Sequence, residues 1–205
     1  MNMANKLTLS RILLVPFILF FLLPLPWAED AAFSRFVLSS PGRSIAFVLF
    51  ILAALTDAFD GLLARKQGIV SDLGKLLDPI ADKILVISVF TAFVQLGRVS
   101  TYILTIIIAR ELIVTGIRQV AAIRGTVIAA SWFGKIKTVI QVVTLIVLIF
   151  EPIVANWLDP SLPFLGYGAP YSLPGDIMIA VSAIITVLSG LDYGIKNKDI
   201  WKEEP

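Results

Sequence analysis

Cysteine and histidine are both absent from the 205 residues of this sequence. Their absence excludes disulfide bonds, zinc sites built from Cys and His, thiol nucleophiles and any mechanism that needs an imidazole. Charged residues are scarce, at 16% of the chain, whereas hydrophobic residues make up 58%. The mean hydropathy of +0.90 is far above that of a soluble domain, so the composition indicates an integral membrane protein. The net charge of +2 gives no reason to expect nucleic acid as a partner.

Six apolar stretches are long enough to cross a bilayer as helices, which takes about 20 residues at a rise of about 1.5 Å per residue. They cover residues 12–27, 44–64, 76–96, 102–122, 136–158 and 175–193. No internal repeat or soluble domain interrupts them. We therefore predict an all-α integral membrane fold with six transmembrane helices. It forms one domain over residues 1–205 and ends in a cytoplasmic tail at residues 194–205.

The distribution of charged residues between these stretches predicts the topology. Loops rich in Lys and Arg lie in the cytoplasm under the positive-inside rule. One set of connections contains Lys6, Arg11, Arg65, Lys66, Lys75, Arg124, Lys135, Lys137, Lys196, Lys198 and Lys202. The other set contains Glu29, Asp30, Arg35, Arg43, Arg98 and the Lys- and Arg-free residues 158–175. The first set predicts cytoplasmic loops, and it places both termini in the cytoplasm.

The N-terminal segment allows two interpretations. Asn5, Thr8 and Arg11 are spaced by three, which places them on one face of a helix, so we predict a short interfacial helix at residues 2–11. The alternative is a cleaved signal peptide, because Lys6 and Arg11 precede an apolar run. Prolines within that run, such as Pro16, and the lack of a small-residue cleavage motif disfavour the signal peptide.

Four aspartates stand inside otherwise apolar sequence. On a helix, Asp57 and Asp60 are i and i+3, and Asp78 and Asp82 are i and i+4, so each pair projects from a single face. Residues 65–73, which include a glycine, predict an antiparallel hairpin in which the two pairs face each other near the cytoplasmic boundary. Ionisable residues inside membrane segments are rare and usually functional, so we expect these four to form a site.

Carboxylates gathered in one cleft repel one another unless cations compensate for their charge. Oxygen ligands favour Mg2+ or Mn2+ over zinc or copper, and a two-metal site bridged by a substrate phosphate uses this number of ligands. Gly61 and Ala64 leave room beside such a site for a phosphorylated ligand, and Arg65 can pair with a phosphate oxygen. Close helix packing is the alternative role of Gly61, Ala64 and Gly74.

These residues form the pattern D-x-x-D-G-x-x-A-R, eight further residues, and G-x-x-x-D-x-x-x-D. The pattern is met at Asp57, Asp60, Gly61, Ala64, Arg65, Gly74, Asp78 and Asp82. It resembles the signature of the CDP-alcohol phosphatidyltransferases, a family of membrane enzymes with six helices. The stretches "NKLTLSR", "ARELIVTGIRQVAA" and "SWFGKIKT" are similar to the bacterial family members that use glycerol 3-phosphate as the acceptor.

The resemblance implies a metal-dependent transferase of phospholipid biosynthesis that releases CMP. It implies that the four aspartates bind two Mg2+ or Mn2+ ions and that Asp82 is also the general base. The residues implied to bind CDP-diacylglycerol are Asp57, Asp60, Gly61, Ala64, Arg65 and Gly74. The resemblance further implies glycerol 3-phosphate as the acceptor, a homodimer, and a place in the cytoplasmic membrane of a bacterium with the active site facing the cytoplasm.

An acceptor that carries a phosphate needs cations beyond the metal site. The candidates are Arg110, Arg118, Lys135 and Lys137. Arg118 is at the cytoplasmic end of the fourth predicted helix, and Arg110 is about 12 Å deeper. Glu111 shares a helix face with Arg118. In the alternative to phosphate binding, Glu111 neutralises a buried arginine. Lys135 and Lys137 lie on opposite sides of an ideal helix and reach one pocket only if Gly134 disturbs the helix or the side chains curl. An ordinary positive-inside cluster is the alternative for this pair.

Two other functions fit parts of the sequence. A cation transporter could use intramembrane acids, but the aspartates gather at one face, and the last two predicted helices offer few polar positions for an exit path. The same chemistry with inositol phosphate as the acceptor also fits the basic residues. Serine carries no phosphate, so a serine acceptor leaves those residues unexplained.

Overall fold

The fold is that of a computed structural model that describes residues 3–25, 32–67, 72–125, 128, 131–158 and 173–197. Within the helices, the side chains of residues 3–8, 57–67, 72–79, 82 and 155–158 are not among those described. The described residues form seven α-helices and no strand, which confirms the prediction of an all-α protein for this part of the chain. The helices are α1 (Met3–Leu22), α2 (Ala32–Leu38), α3 (Ser40–Gln67), α4 (Asp72–Gln95), α5 (Thr101–Ile123), α6 (Trp132–Leu158) and α7 (Leu173–Lys196).

Each of the six predicted stretches coincides with a helix. Fewer than six of these helices, however, are both long enough and apolar enough to count as membrane spans. Trp132–Val154 in α6 and Leu173–Lys196 in α7 are long and apolar enough to cross a membrane. A third span results if Ala32–Leu38 and Ser40–Thr56 are counted together. Among the described residues there are thus two or three such spans, and the six-span topology with both termini in the cytoplasm stays a prediction.

The first helix differs from the prediction at its start. The interfacial helix predicted at residues 2–11 is not a separate element, because α1 runs unbroken from Met3 to Leu22. No glycine or proline occurs between Met3 and Val15 to end a helix there, and Pro16 lies inside α1. The polar residues predicted to lie at an interface therefore belong to the same helix as the first apolar stretch.

Helix α2 was not predicted, and it lies in a stretch that the sequence predicted to be a loop. Its axis and that of the first part of α3 meet at 62°. The bend is at Ser39, whose hydroxyl donates to the carbonyl of Phe36 at 2.5 Å. Gly42 makes the bend possible, because a Cβ at this position would overlap the backbone of Phe36 and Val37.

The core is built by one apolar face from each of several helices. In α1 the buried residues Val15, Ile18 and Leu22 follow the helical spacing of three and four, and α1 contacts both α3 and α4. Residues of α3, α4, α5, α6 and α7 complete the same cluster. The aspartate-bearing helices α3 and α4 therefore share one core through α1.

The last three helices are joined by polar contacts as well as by apolar packing. Gln141 of α6 donates to Thr186 of α7 at 3.2 Å, and Thr144 donates to the carbonyl of Met178 at 3.1 Å. These contacts pair a later residue of α6 with an earlier residue of α7, so the two helices are antiparallel. α7 also contacts α5, which carries Arg110 and Arg118.

Candidate active site

The four aspartates lie on helices, as predicted. Asp57 and Asp60 are within α3, and Asp78 and Asp82 are within α4, so the spacings i, i+3 and i, i+4 apply to real helical turns. The side chains of these aspartates, and positions Gly61, Ala64, Arg65 and Gly74 of the same pattern, lie outside the described side chains. The described side chains form no cluster of three or more acids, so the metal site stays a prediction.

The helical period of α3 indicates which face Asp57 and Asp60 occupy. Ala46, Phe50 and Ala53 are fully buried and follow one stripe along the helix. Continuing the spacing of three and four from Ala53 leads to positions 57 and 60. On a regular helix the predicted pair is thus in register with this stripe, although the side chains of Asp57 and Asp60 are not among those described.

Helix α4 also has a buried stripe that can be extended by the helical period. Leu85, Val89 and Ala92 are buried and follow a stripe with spacings of four and three. Extended toward the start of the helix, this stripe reaches positions 82 and 78. The predicted pair Asp78 and Asp82 is thus in register with the buried stripe of α4, and the side chains of both residues lie outside those described.

Arg11 is a buried cation whose location the sequence did not predict. It lies on the same face of α1 as Val15 and Ile18, and only 2% of its surface is exposed. The sequence placed it in a cytoplasmic interfacial segment. The spacing of four between Arg11 and Val15 could have indicated a core-facing position, because the buried stripe of α1 begins there.

A charged cluster joins α5 to α6 through one carboxylate. Glu111 Oε1 accepts from Arg110 Nη1 at 3.0 Å and from Lys137 Nζ at 2.5 Å. The side chains of Arg110, Glu111 and Lys137 are 10%, 13% and 5% exposed. We call these three residues the Glu111 network. The structure thereby brings together two of the four cations that were predicted to bind the acceptor phosphate.

Neighbouring helices fix Arg110 and add a third cation. Arg110 Nη2 donates to the hydroxyl of Ser189 in α7 at 2.5 Å, and a Cβ at Gly190 would lie 3.3 Å from Arg110 Cγ. Lys83, which follows Asp82 in α4, donates to the hydroxyl of Thr115, and Thr115 donates to the carbonyl of Glu111 at 2.7 Å. The aspartate helix is therefore connected to the Glu111 network by one side chain.

Arg118 and Lys135 lie in different surroundings from the other two predicted cations. Arg118 Nε donates to the hydroxyl of Tyr193 at 3.2 Å, and its guanidinium carbon is 5.5 Å from the centre of the tyrosine ring. Lys135 is exposed, whereas Lys137 is buried, which is the divergence that their spacing of two predicted. Arg118 is about 12 Å along α5 from Arg110, so the four cations do not form one cluster.

Glu111 pairs with its neighbour Arg110 and with Lys137 of another helix. Neutralisation of a buried arginine by Glu111 was an alternative interpretation of the sequence, and the arginine it contacts is Arg110, although Arg118 shares its helix face. Long side chains allow adjacent residues to meet although their Cβ atoms diverge by about 100°. The sequence also did not predict roles for four residues that contact this site across helices, namely Ser189, Thr115, Tyr193 and Lys83.

A second charged cluster lies at the opposite ends of α6 and α7. Arg98, in the turn after α4, donates to Glu151 Oε2 at 3.3 Å and to Asp176 Oδ1 at 3.2 Å. We call Arg98, Glu151 and Asp176 the Arg98 network. Lys137 and Glu151 are separated by 14 residues of α6, so the two networks are about 20 Å apart.

Comparison with known proteins gives consistent matches over most of the chain. The family profile described as CDP-alcohol phosphatidyltransferase matches residues 1–188. The chain is 37% identical over 203 residues to a CDP-diacylglycerol--glycerol-3-phosphate 3-phosphatidyltransferase of Bacillus subtilis, covering 98% of this chain and 97% of that protein. A probable phosphatidylglycerophosphate synthase of Mycobacterium tuberculosis is 36% identical, with coverage of 94% and 79%. A further CDP-diacylglycerol--glycerol-3-phosphate 3-phosphatidyltransferase, from Rickettsia felis, is 32% identical, with coverage of 94% and 93%.

Proposed function

The chain belongs to the CDP-alcohol phosphatidyltransferase family, and from this membership we propose that it transfers the phosphatidyl group of CDP-diacylglycerol to glycerol 3-phosphate. The products are phosphatidylglycerophosphate and CMP. The names of relatives at 32% to 37% identity support this reaction, since they specify both the lipid donor and the acceptor. The protein is thus a transferase of phospholipid biosynthesis.

The buried cations around Glu111 are the structural observation that supports glycerol 3-phosphate as the acceptor. Arg110 and Lys137 provide two buried positive charges against the one negative charge of Glu111, and Lys83 of α4 contacts Thr115 beside them. Arg110 Nε is buried, and no described residue accepts a hydrogen bond from it. A phosphate monoester carries nearly two negative charges at neutral pH, so it suits this cluster in charge and in hydrogen-bond acceptors.

The donor and the metals are assigned to the aspartate pattern. Asp57, Asp60, Asp78 and Asp82 would hold two divalent cations beside the diphosphate of CDP-diacylglycerol. Bound Mg2+ or Mn2+ supplies charge stabilisation at the phosphoryl oxygens and at the departing CMP. Gly61, Ala64 and Gly74 leave space for the nucleotide lipid, and Arg65 pairs with its phosphate. The spacing of the aspartate pairs, i and i+3 on α3 and i and i+4 on α4, supports this assignment.

Asp82 is the general base of the transfer. It takes the proton from the 1-hydroxyl of glycerol 3-phosphate, and the freed oxygen bonds to the β-phosphorus of the donor. The bond from that phosphorus to the oxygen of CMP breaks, and CMP leaves with the electron pair. Lys83 follows Asp82 and contacts Thr115, so the base and the acceptor cluster are attached to the same short segment.

The acceptor phosphate binds to Arg110 and Lys137, with Arg118 and Lys135 toward the solvent side. This division follows burial, since Lys137 is buried and Lys135 is exposed. The Tyr193 ring and hydroxyl hold Arg118 in place. The protein acts as a homodimer in a bacterial cytoplasmic membrane, with six transmembrane helices, both termini in the cytoplasm and the site facing the cytoplasm. The apolar helices and bacterial relatives support the membrane location.

The test is CMP release by the purified protein in detergent with CDP-diacylglycerol and Mg2+ or Mn2+. Glycerol 3-phosphate, inositol phosphate and serine are offered in separate reactions. We expect release with glycerol 3-phosphate alone, loss with a chelator, and a decrease of about a thousandfold in Asp82→Asn, within the range for removal of a general base. Release with inositol phosphate alone would replace the acceptor. Full activity of Asp82→Asn would reject the base, and no release with any acceptor would reject the function.

A further inference from the structure

Glu111 occupies the hydrogen-bond donors that an acceptor phosphate needs. Its Oε1 accepts from both Arg110 Nη1 at 3.0 Å and Lys137 Nζ at 2.5 Å. A phosphate that binds to the same cations must compete with this carboxylate. We propose that Glu111 is a resident counter-ion of the acceptor site, which the substrate phosphate displaces on binding and which reclaims the two cations as the product leaves. This inference rests on the proposed function.

The surroundings of Arg110 favour exchange of the anion over movement of the cation. Ser189 of α7 accepts from Arg110 Nη2 at 2.5 Å, and Cβ atoms added at Gly134 of α6 and Gly190 of α7 would lie 3.6 Å from Nη2 and 3.3 Å from Cγ. The guanidinium is therefore hydrogen-bonded to α7 and lies beside α6. Because Arg110 is fixed, the carboxylate is the group that must give way to a phosphate.

The charge balance explains why a counter-ion is needed. Without Glu111, Arg110 and Lys137 would be buried cations with like charge, and Lys83 is close enough to Lys137 to add to their repulsion. Buried charges are costly unless they are paired. Glu111 pairs them when no substrate is present, and the phosphate of the substrate or product pairs them when it is bound.

The product makes this exchange relevant to turnover. Phosphatidylglycerophosphate keeps the phosphate monoester of the acceptor, so it presents the same group to the same cations. A site that binds this phosphate too tightly releases its product slowly, and product release limits the turnover of many enzymes. A carboxylate already next to the cations weakens the binding of both substrate and product, and it thereby allows release.

Glu111→Gln removes the charge while it keeps a side chain of nearly the same shape. We expect the dissociation constant of inorganic phosphate, measured by calorimetry on the purified protein, to fall about tenfold, as for a hydrogen bond between charged groups. The KM for glycerol 3-phosphate and kcat should fall together, so that kcat/KM changes by less than about threefold. The KM for CDP-diacylglycerol should stay unchanged.

Glu151→Gln is the matched control, because Glu151 is also a mostly buried carboxylate that pairs with an arginine, Arg98. It should leave phosphate binding and the KM for glycerol 3-phosphate unchanged. Glu111→Asp keeps the charge but withdraws the carboxylate by one methylene, so it should tighten phosphate binding by a smaller factor. It also serves as the test if Glu111→Gln does not fold.

Two results would overturn the inference. Folded Glu111 variants that bind phosphate as weakly as the unmodified protein, or more weakly, would show that Glu111 only supports the structure. A fall in kcat without a fall in KM would show the same. Phosphate binding needs no turnover, so a failure of the acceptor assignment is distinguishable: the unmodified protein would then release no CMP with glycerol 3-phosphate, whatever the variants bind.

Discussion

The Glu111 network and the Arg98 network are built alike but have opposite charge balance. Each joins three charged side chains across helices, and each uses α6. In the Arg98 network one cation lies between two carboxylates, whereas in the Glu111 network one carboxylate lies between two cations. The Arg98 network therefore carries one excess negative charge, and the Glu111 network carries one excess positive charge.

The difference shows how a network that stabilises the fold is distinguished from one that binds a ligand. At the Arg98 network, Gly175 approaches so closely that a Cβ would overlap Glu151 Oε2 and Arg98 Nη2, so the space is filled by the backbone. At the Glu111 network the neighbouring glycines leave more room, since a Cβ at Gly134 or Gly190 would lie 3.3 Å or more from its nearest neighbour, and among the described residues Arg110 Nε is buried without a hydrogen-bond partner. Only the second network has both the charge and an unmet donor for an anion.

Replacement of Arg98 is expected to have the largest effect of the substitutions that test the contrast between the two networks. Arg98→Met leaves the mostly buried Glu151 without its cation, and removal of one partner of a buried ion pair costs about 3–5 kcal/mol, whereas Asp176 is exposed enough for water to replace the lost pair. We expect a large decrease in the free energy of unfolding, measured as a lower midpoint of thermal unfolding in detergent. The activity of the protein that remains folded should be unchanged.

Lys137→Met is the control for that loss of stability, because Glu111 keeps Arg110 as a partner. Its midpoint should decrease less than that of Arg98→Met. An Arg98→Met protein as stable as the unmodified one would show that the Arg98 network does not hold the helix ends together, and the contrast between the two networks would then fail.

Removal of a cation from the Glu111 network should instead affect the acceptor. Lys137→Met should lower kcat/KM for glycerol 3-phosphate by roughly 10- to 100-fold, as expected for a hydrogen bond between charged groups of about 1.5–3 kcal/mol. The measurement is CMP release at varied glycerol 3-phosphate with CDP-diacylglycerol saturating. Lys135→Met is the matched control, since Lys135 is exposed and two residues away. A larger loss in Lys135→Met than in Lys137→Met would reverse our assignment of the buried lysine.

The sequence was sufficient to predict features that depend on one helix at a time. Apolar stretches predicted helices that α1 and α3–α7 confirm, and the spacing of Asp57 and Asp60 is a spacing on a real helix. Lys135 and Lys137 were expected to diverge, and they do. In each case the period of a single helix determines which residues share a face, and that period is present in the sequence.

Features that depend on two helices could not be predicted in this way. The choice of Lys137 over Arg118 as a partner of Glu111 depends on how α6 packs against α5, which no spacing within α5 specifies. The same holds for Lys83 with Thr115, which are 32 residues apart. The bend between α2 and α3 was missed because it needs close contact of Gly42 with the preceding turn, and a glycine by itself predicts many structures.

The smallest expected effect comes from one of two buried hydroxyls on α7. Ser189 accepts from Arg110, whereas the hydroxyl of Ser182, two turns earlier on the same face, has no hydrogen-bond partner in the described part of the chain. Ser189→Ala leaves a buried guanidinium nitrogen with one acceptor fewer, which costs about 0.5–1.5 kcal/mol. We expect kcat/KM for glycerol 3-phosphate to decrease roughly two- to tenfold, because Arg110 is held less firmly. Ser182→Ala removes a hydroxyl that satisfies no donor, so stability and activity should stay the same or rise slightly. Equal losses of kcat/KM in both serine variants would mean that α7 affects the acceptor site only through general packing, and Arg110 would then not depend on Ser189 for its position.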